Sequence, residues 1–300
     1  FENPVYRIEE AEPNQPVVNH ILEAAEFWLM EMDIDGFRLD VPNEVPFWFW
    51  ELFRKKVKNL KPDAYIVGEI WHNAREWVNG KYCDAVMNYA CFKDPVIKFF
   101  NLRRGDAASF DRELKPGLLN YPVQATQVMM NLIDSHDTYR YLEIARGDLT
   151  RLQLAVLFQM TYTGVPHIWY GDEIGMTGAH DPDCRRPFNW LYAEDDNLIQ
   201  LREFYKKLIH LRKTHSCLRR GNFRTVKTVG MLYAYTREFQ NEGLLIVINN
   251  GESGQQIDLP VEVKAGTYKD LWTDTGITVQ EGFLQLNLQP YSFLILESQP

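Results

Sequence analysis

No stretch of the 300-residue sequence approaches the roughly 18 consecutive apolar residues of a membrane-crossing helix, so no membrane partner is expected. Cysteine is scarce: Cys83, Cys91, Cys184 and Cys217 form neither a C-x-x-C pair nor a zinc spacing. They read as buried or free thiols, which points to a reducing compartment and a cytoplasmic protein. Neither a G-x-G-x-x-G nor a Walker glycine loop is present to cradle phosphate. Internal repeats and low-complexity segments are missing. Positive charge is in deficit, with Lys+Arg 32 against Asp+Glu 41 and a net charge of −9. A surface of that sign repels phosphate backbones, and no nucleic-acid partner is expected. The sequence opens Phe-Glu-Asn-Pro, without the basic region and apolar stretch of a secretory leader.

What is there is a globular composition, 45% hydrophobic and 13% aromatic, with 8 Trp, 15 Tyr and 17 Phe. Residues 1–16 are polar and dotted with proline, and read as loop. Ile21, Leu22, Ala25, Trp28, Leu29 and Met32 recur at helical spacing, predicting a helix over 17–33. Further helices are predicted at 46–60, 149–162 and 197–214. Between them lie short apolar runs at 36–41, 64–68, 83–88, 128–134 and 165–170. Short strands alternating with helices predict an α/β fold with a parallel sheet. After residue 217 the helical period vanishes. Strand-like runs at 226–229, 231–235, 244–248, 283–286 and 292–296, with turns at Asn249-Asn250-Gly251 and Ala265-Gly266, predict an antiparallel β-sandwich.

Polar residues gather where the α/β strands end, the face that carries active sites in parallel barrels and doubly wound sheets alike. Asp40 ends one strand, Glu69 the next, and Asp137 follows a later one. Two carboxyl groups flanking a glycosidic bond suffice for its hydrolysis, one attacking or activating water and the other protonating the leaving oxygen. Strand-end carboxylates also serve as helix caps and ion-pair partners, so position alone leaves the role open.

The surrounding residues resolve it by resemblance. Gly36-Phe37-Arg38-Leu39-Asp40-Val41-Pro42-Asn43-Glu44 resembles the G-[FW]-R-x-D motif of the α-amylase family of glycoside hydrolases. Val67-Gly68-Glu69-Ile70-Trp71-His72 resembles that family's acid/base motif, and Asn131-Leu132-Ile133-Asp134-Ser135-His136-Asp137-Thr138 its third catalytic motif, in the family's order. The resemblance implies that Asp40 is the nucleophile and Glu69 the general acid/base. It implies that Arg38, on the same face as Asp40, keeps it ionised, and that Asp137 and His136 hold sugar hydroxyls. The apolar barrel interior would partly shield Asp40 and Glu69. Asn43-Glu44, Glu69-Ile70-Trp71-His72 and Gly171-Asp172-Glu173-Ile174-Gly175-Met176-Thr177-Gly178 resemble the neopullulanase, cyclomaltodextrinase and maltogenic amylase branch, although Pro42 stands where that branch has alanine. By this likeness Glu44 belongs to the substrate-binding set, and Asp181 and Arg185 contact glucose on the non-reducing side; a local ion pair is the alternative for the last two. Trp71 reads as a sugar platform or as core.

The implied architecture is a partial TIM (β/α)8 barrel, about its last five strands, in residues 1–217, followed by an all-β C-terminal domain in 218–300. A barrel of this kind takes about 250 residues, so the sequence is expected to begin inside the third crossover. Pro16-Val17-Val18-Asn19-His20 imitates the family's first motif but lacks its aspartate, and His20 reads as a helix residue. An unclosed sheet exposes strand edges and apolar interior, so a homo-oligomer or the missing N-terminal half is the expected partner. No cofactor is expected. Calcium occurs in the family, with ligands that would fall largely outside this sequence. The implied function is hydrolysis of α-1,4 and α-1,6 bonds in malto-oligosaccharides, cyclodextrins or pullulan, with transglycosylation. Alternatives are an oligosaccharide α-amylase or α-glucosidase, a non-catalytic amylase-like binding subunit, and an inactive truncated fragment. Asn43-Glu44 argues against a starch-type amylase, which carries Lys-His there. The four groups Arg38, Asp40, Glu69 and Asp137 argue against a binding subunit.

Overall fold

The computed structural model describes residues 12–260 and 266–299. Ala265 of the expected Ala265-Gly266 turn, and most of the expected N-terminal loop, lie outside the described residues. The chain divides into two compact units, 1–90 with 117–130, and 91–116 with 131–300. That division falls elsewhere than the 217/218 boundary read from the sequence.

In the first unit, helix α1 (Gln15–Met30) starts where Asn14 caps it. The Asn14 side chain accepts the Val17 N–H at 3.4 Å, and Pro16 occupies the first turn, where no N–H is needed. His20 lies on this helix, exposed, as expected. Val18, Ala25 and Leu29 are buried, whereas Ile21, Trp28 and Met32 are exposed. The apolar spacing is therefore wider than the stripe that packs.

Strand β1 (Gly36–Leu39) pairs in parallel with β2 (Tyr65–Gly68), and β2 with β3 (Ala85–Val86). Helix α2 (Phe47–Leu60) is the first crossover and buries Phe49, Trp50, Phe53 and Val57, one face at a three-to-four spacing. At Gly36 the two backbones approach so closely that a Cβ would sit 1.9 Å from the Tyr65 carbonyl oxygen. Only glycine fits there. Asp84 ties the sheet to α2: its carboxylate accepts the Ile66 N–H at 2.9 Å and faces Arg54 and Lys58, each at 2.8 Å. Burial opposes its charge, but the bonds from Lys58, Ile66 and Arg54 outweigh burial and hold the carboxyl below its ordinary range. Among the described residues β1 is paired on one side only. Beside it a cleft of about 550 Å³ is lined mainly by apolar side chains, including Val17, Ile21, Trp28, Phe37 and Trp48. The apolar surface expected of an open sheet is thus present.

Helix α3 (Ala107–Leu119) carries Pro116 near its end. Strand β4 (Met130–Leu132) pairs with β5 (Val165–His167), and α4 (Leu149–Thr161) lies between them in sequence. All five expected α/β strands are present, each shorter than its apolar run. In the second unit Asp148 caps α4, accepting from the Thr150 and Arg151 amides. The carbonyls around its far end receive two buried arginines: Arg212 donates to Met160 (2.8 Å) and Tyr162 (3.1 Å), and Arg237 to Thr161 (2.5 Å). Cations suit the negative end of a helix, although burial lowers each guanidinium to about 10.

Helix α5 (Asp196–Thr214) precedes eight antiparallel strands, β6 (Asn222–Val229), β7 (Leu232–Phe239), β8 (Glu242–Asn249), β9 (Gln255–Pro260), β10 (Thr267–Asp270), β11 (Thr275–Gln280), β12 (Phe283–Leu288) and β13 (Ser292–Gln299). Their order is β6-β7-β8-β13-β10-β11-β12-β9. Leu232 and Val247 from one end of that order share a buried cluster with Ile257, Leu259 and Leu286 from the other. A sheet whose distant strands meet in one core has folded over on itself, the sandwich arrangement expected. The four cysteines are buried. Among the described residues no helix is long and apolar enough to cross a membrane.

Candidate active site

The pleat of β1 sends Arg38 and Asp40 to one side. Arg38 Nη1 lies 2.5 Å from Asp40 Oδ1, and Nη2 lies 3.1 Å from Glu69 Oε1 at the end of the neighbouring strand. The second contact is an ion pair not aligned as a hydrogen bond. One planar guanidinium cannot touch two carboxylates that are far apart, so the parallel register of β1 with β2 brings Asp40 and Glu69 together as the sequence predicts.

The two carboxylates differ in environment. The Glu69 side chain is 6% exposed and that of Asp40 77% exposed. The expectation that both are shielded holds for Glu69 and is corrected for Asp40. Glu69 follows β2, the middle strand of three, whereas Asp40 follows β1, whose outer side is unpaired among the described residues. Glu69 also accepts the Val41 N–H (3.1 Å) and the Trp71 indole N–H (3.3 Å). Val41 makes this bond from a left-handed conformation, φ 36° and ψ 52°, unusual for a β-branched residue. Behind it Trp50 Nε1 donates to the Pro42 carbonyl at 2.8 Å. The Val41 and Trp50 contacts have no signature in the sequence, because they depend on how the turn after β1 closes.

Trp71 stacks on buried Tyr89 with ring centroids 4.0 Å apart and planes 9° apart, and is itself 37% exposed. It is not core. Glu44 ends the turn Pro42–Glu44, exposed, with its N–H donating to the Val41 carbonyl at 2.9 Å. The cleft that Arg38 and Asp40 help to line offers few partners to hydroxyl groups, so its apolar walls are the inner face of the sheet and helices rather than a sugar subsite.

In the second unit the segment after β4 turns tightly. The Ser135 N–H donates to Thr138 Oγ1 at 2.9 Å and the Asp137 N–H to Ser135 Oγ at 3.2 Å. This turn presents His136 and Asp137, joined at 2.9 Å between Nε2 and Oδ2. Arg185 reaches Asp137 Oδ1 at 3.0 Å, Asp181 Oδ1 at 2.5 Å and the His136 carbonyl at 3.0 Å. His136, Asp137, Asp181 and Arg185 thus form one group, and the ion pair considered for Asp181 and Arg185 is present. Cys184 Sγ donates to the same His136 carbonyl at 3.0 Å. His167 is pushed down by burial and by nearby His136. Among the described residues no cluster of three or more His, Cys, Asp or Glu is placed to hold a metal ion.

Comparison with known proteins matches residues 11–201 to the alpha amylase catalytic domain and residues 223–295 to the maltogenic amylase C-terminal domain. The chain is 47% identical over 286 residues to neopullulanase 2 of Thermoactinomyces vulgaris, covering 94% of this chain and 48% of that protein. It is 42% identical over 260 residues to a cyclomaltodextrinase of Thermoanaerobacter pseudethanolicus (86% and 45% covered), and 36% identical over 291 residues to the intracellular maltogenic amylase of Bacillus subtilis (95% and 48%). A solved cyclomaltodextrinase superposes with a TM-score of 0.89 at 41% identity, covering 96% of this chain and 49% of that one. The chain spans about half the length of the curated relatives it matches.

Proposed function

The chain belongs to the α-amylase family, and from that premise we propose that it serves a retaining α-glucan hydrolase. Its substrates are the α-1,4 and some α-1,6 bonds of malto-oligosaccharides, cyclodextrins or pullulan, with transfer to acceptor sugars as a second outcome. The observation that carries the reading is the Arg38 fork between exposed Asp40 and buried Glu69. Asp40, beside the Arg38 guanidinium and open to an incoming ligand, attacks the anomeric carbon. Glu69 protonates the leaving oxygen and then takes the proton of the attacking water. Asp137 and His136 hold sugar hydroxyls, Asp181 and Arg185 the adjacent glucose, and Trp71 and Glu44 the acceptor side. Two carboxyl groups and water complete this chemistry, so the reading includes no cofactor; calcium would be structural.

The names of the relatives support the cyclodextrin- and pullulan-directed reading over an ordinary amylase. Buried thiols and the name of the Bacillus subtilis relative support a cytoplasmic location. We assign residues 1–217 to the catalytic barrel and 218–300 to the C-terminal domain, a division supported by the two family matches. The proposed partner is a second copy or a polypeptide carrying the rest of the family's length, supported by the one-sided pairing of β1. The test is product release from maltotriose, β-cyclodextrin and pullulan. Asp40→Asn and Glu69→Gln each lower kcat by about 10⁴-fold or more; activity surviving Asp40→Asn sinks the reading.

A further inference from the structure

Two buried carboxyl groups in the second unit take no part in this chemistry. Asp134 follows the apolar run of β4, and Asp172 begins the turn Asp172–Ile174. Asp134 Oδ2 accepts the Tyr141 N–H at 2.6 Å, and Asp172 Oδ1 lies 3.1 Å from Arg140 Nη1. Their other oxygens, Asp134 Oδ1 and Asp172 Oδ2, are buried and receive no donor from any other residue. The two side chains lie within hydrogen-bonding reach of each other. Two buried carboxylates cannot face each other with both charges intact, and one proton between them satisfies both orphaned oxygens. Burial first, and then the charge of Asp134, lift Asp172 well above the carboxylate range against the pull of Arg140. Asp134 is raised by burial, against the bonds from Asp172 and Tyr141. The other titratable groups facing the pair are Lys93, Glu173, Tyr141 and Tyr205.

Arg140 extends the pair into the neighbouring loop. Its side chain is fully buried, with Nη1 donating to the Tyr170 carbonyl at 2.8 Å and Nε to the Cys184 carbonyl at 3.0 Å, and its N–H donates to the Gly178 carbonyl at 2.9 Å. A residue three positions after Asp137 is therefore tied at several points to the segment that leads into Arg185. Cys184 closes the circuit through its thiol bond to His136.

We propose that the Asp134–Asp172–Arg140 cluster is a positioning device, in which one shared buried proton locks the loop after β4 to the loop after β5 and so sets His136, Asp137, Asp181 and Arg185 for sugar binding. The placement of the sugar rests on the glucan-hydrolase reading; the shared proton does not. The proton is bound in the folded chain at pH values where the unfolded chain has lost it. The stability it contributes is full below the ordinary carboxylate pKa and declines as pH rises toward the raised native value.

The test compares Asp172→Ala and Asp172→Asn with the wild-type protein, by maltotriose kinetics and by Tm across about pH 5 to 8. Asp172→Ala lowers kcat/KM by about 100-fold, chiefly through kcat, the cost of misplacing binding groups by about an ångström. Asp172→Asn, whose amide donates permanently to Asp134, restores kcat/KM to within about threefold and flattens the decline of Tm with pH. If Asp172→Asn keeps the wild-type slope of Tm against pH, or Asp172→Ala lowers Tm while leaving kcat/KM at the wild-type level, the proposal is overturned. Should Asp172→Ala fail to fold, the slope and kinetics of Asp172→Asn decide alone. Activity surviving Asp40→Asn counts against the hydrolase reading only, because the Tm slope needs no substrate.

Discussion

Arg38 in the first unit and Arg185 in the second each form a fork between two carboxylates, and these two forks differ in their access to water. Arg38 joins Asp40 to Glu69 from within a pair of strands, and the Glu69 side chain is almost dry. Arg185 joins Asp137 to Asp181 from a loop, with exposures of 46%, 30% and 44% for Arg185, Asp137 and Asp181. An ion pair in water holds its partners by about 0–1 kcal/mol, so the loop fork exchanges partners for a ligand's hydroxyls at little cost. The strand fork keeps a desolvated carboxylate in place. The first arrangement suits groups that must hold a position during bond breaking, the second suits groups that must let a ligand in and out.

Breaking the stronger end gives the largest effect. Arg38→Lys keeps the charge but loses the planar fork, and lowers kcat by about 100-fold with unchanged circular dichroism. Arg185→Lys raises KM by about fivefold and leaves kcat near the wild-type value, as fits a screened contact. Equal losses in the two variants would erase the distinction between the forks.

A third acidic site sharpens the contrast without touching substrate. Asp84 faces two cations and an amide, which hold its carboxyl below the ordinary range despite burial. Its contribution is present above the unfolded carboxylate pKa and is lost as pH falls through the lower native value. Asp84→Asn therefore lowers Tm at neutral pH by about 4 °C and softens acid unfolding below about pH 4, read by thermal melts across pH. Val41→Gly gives the smallest change. It removes left-handed strain of about 1–3 kcal/mol and adds about 0.5–1 kcal/mol of chain entropy. Tm should rise by about 1–3 °C with kcat within about twofold, because the N–H to Glu69 remains.

The strand fork was the more legible in the sequence. Arg38 and Asp40 stand two residues apart in an apolar run, so the pleat alone puts them on one side, and Glu69 closes a run of the same form. Burial was less legible: nothing local says that Glu69 is covered and Asp40 open, since that depends on which strand lies in the middle. The loop fork was named through its family motif, but the Arg140 bonds and the Asp134–Asp172 pair join segments thirty or more residues apart and leave no period to read. An aspartate after Asn131-Leu132-Ile133 was the available signal, because a charge ending a buried run needs a partner. In the C-terminal domain β9, β10 and β11 passed unread. Gln255–Pro260 buries only Ile257 and Leu259, and its outward residues dilute the apolar pattern. Helix α3 also went unread, with charged residues and Pro116 interrupting its apolar spacing.

The thiol of Cys184 gives the loop that carries Arg185 its own clock. It is fully buried, burial raises it above the ordinary thiol range, and it donates to the carbonyl of His136. A closed loop therefore presents neither access nor thiolate to an alkylating reagent. Labelling of this one sulfur reports how often the loop opens, and where opening and closing are fast it yields the free energy of that opening. On the proposed function, a bound glucan that engages His136 and Arg185 would slow the clock, and the slowing would measure how far substrate steadies that segment.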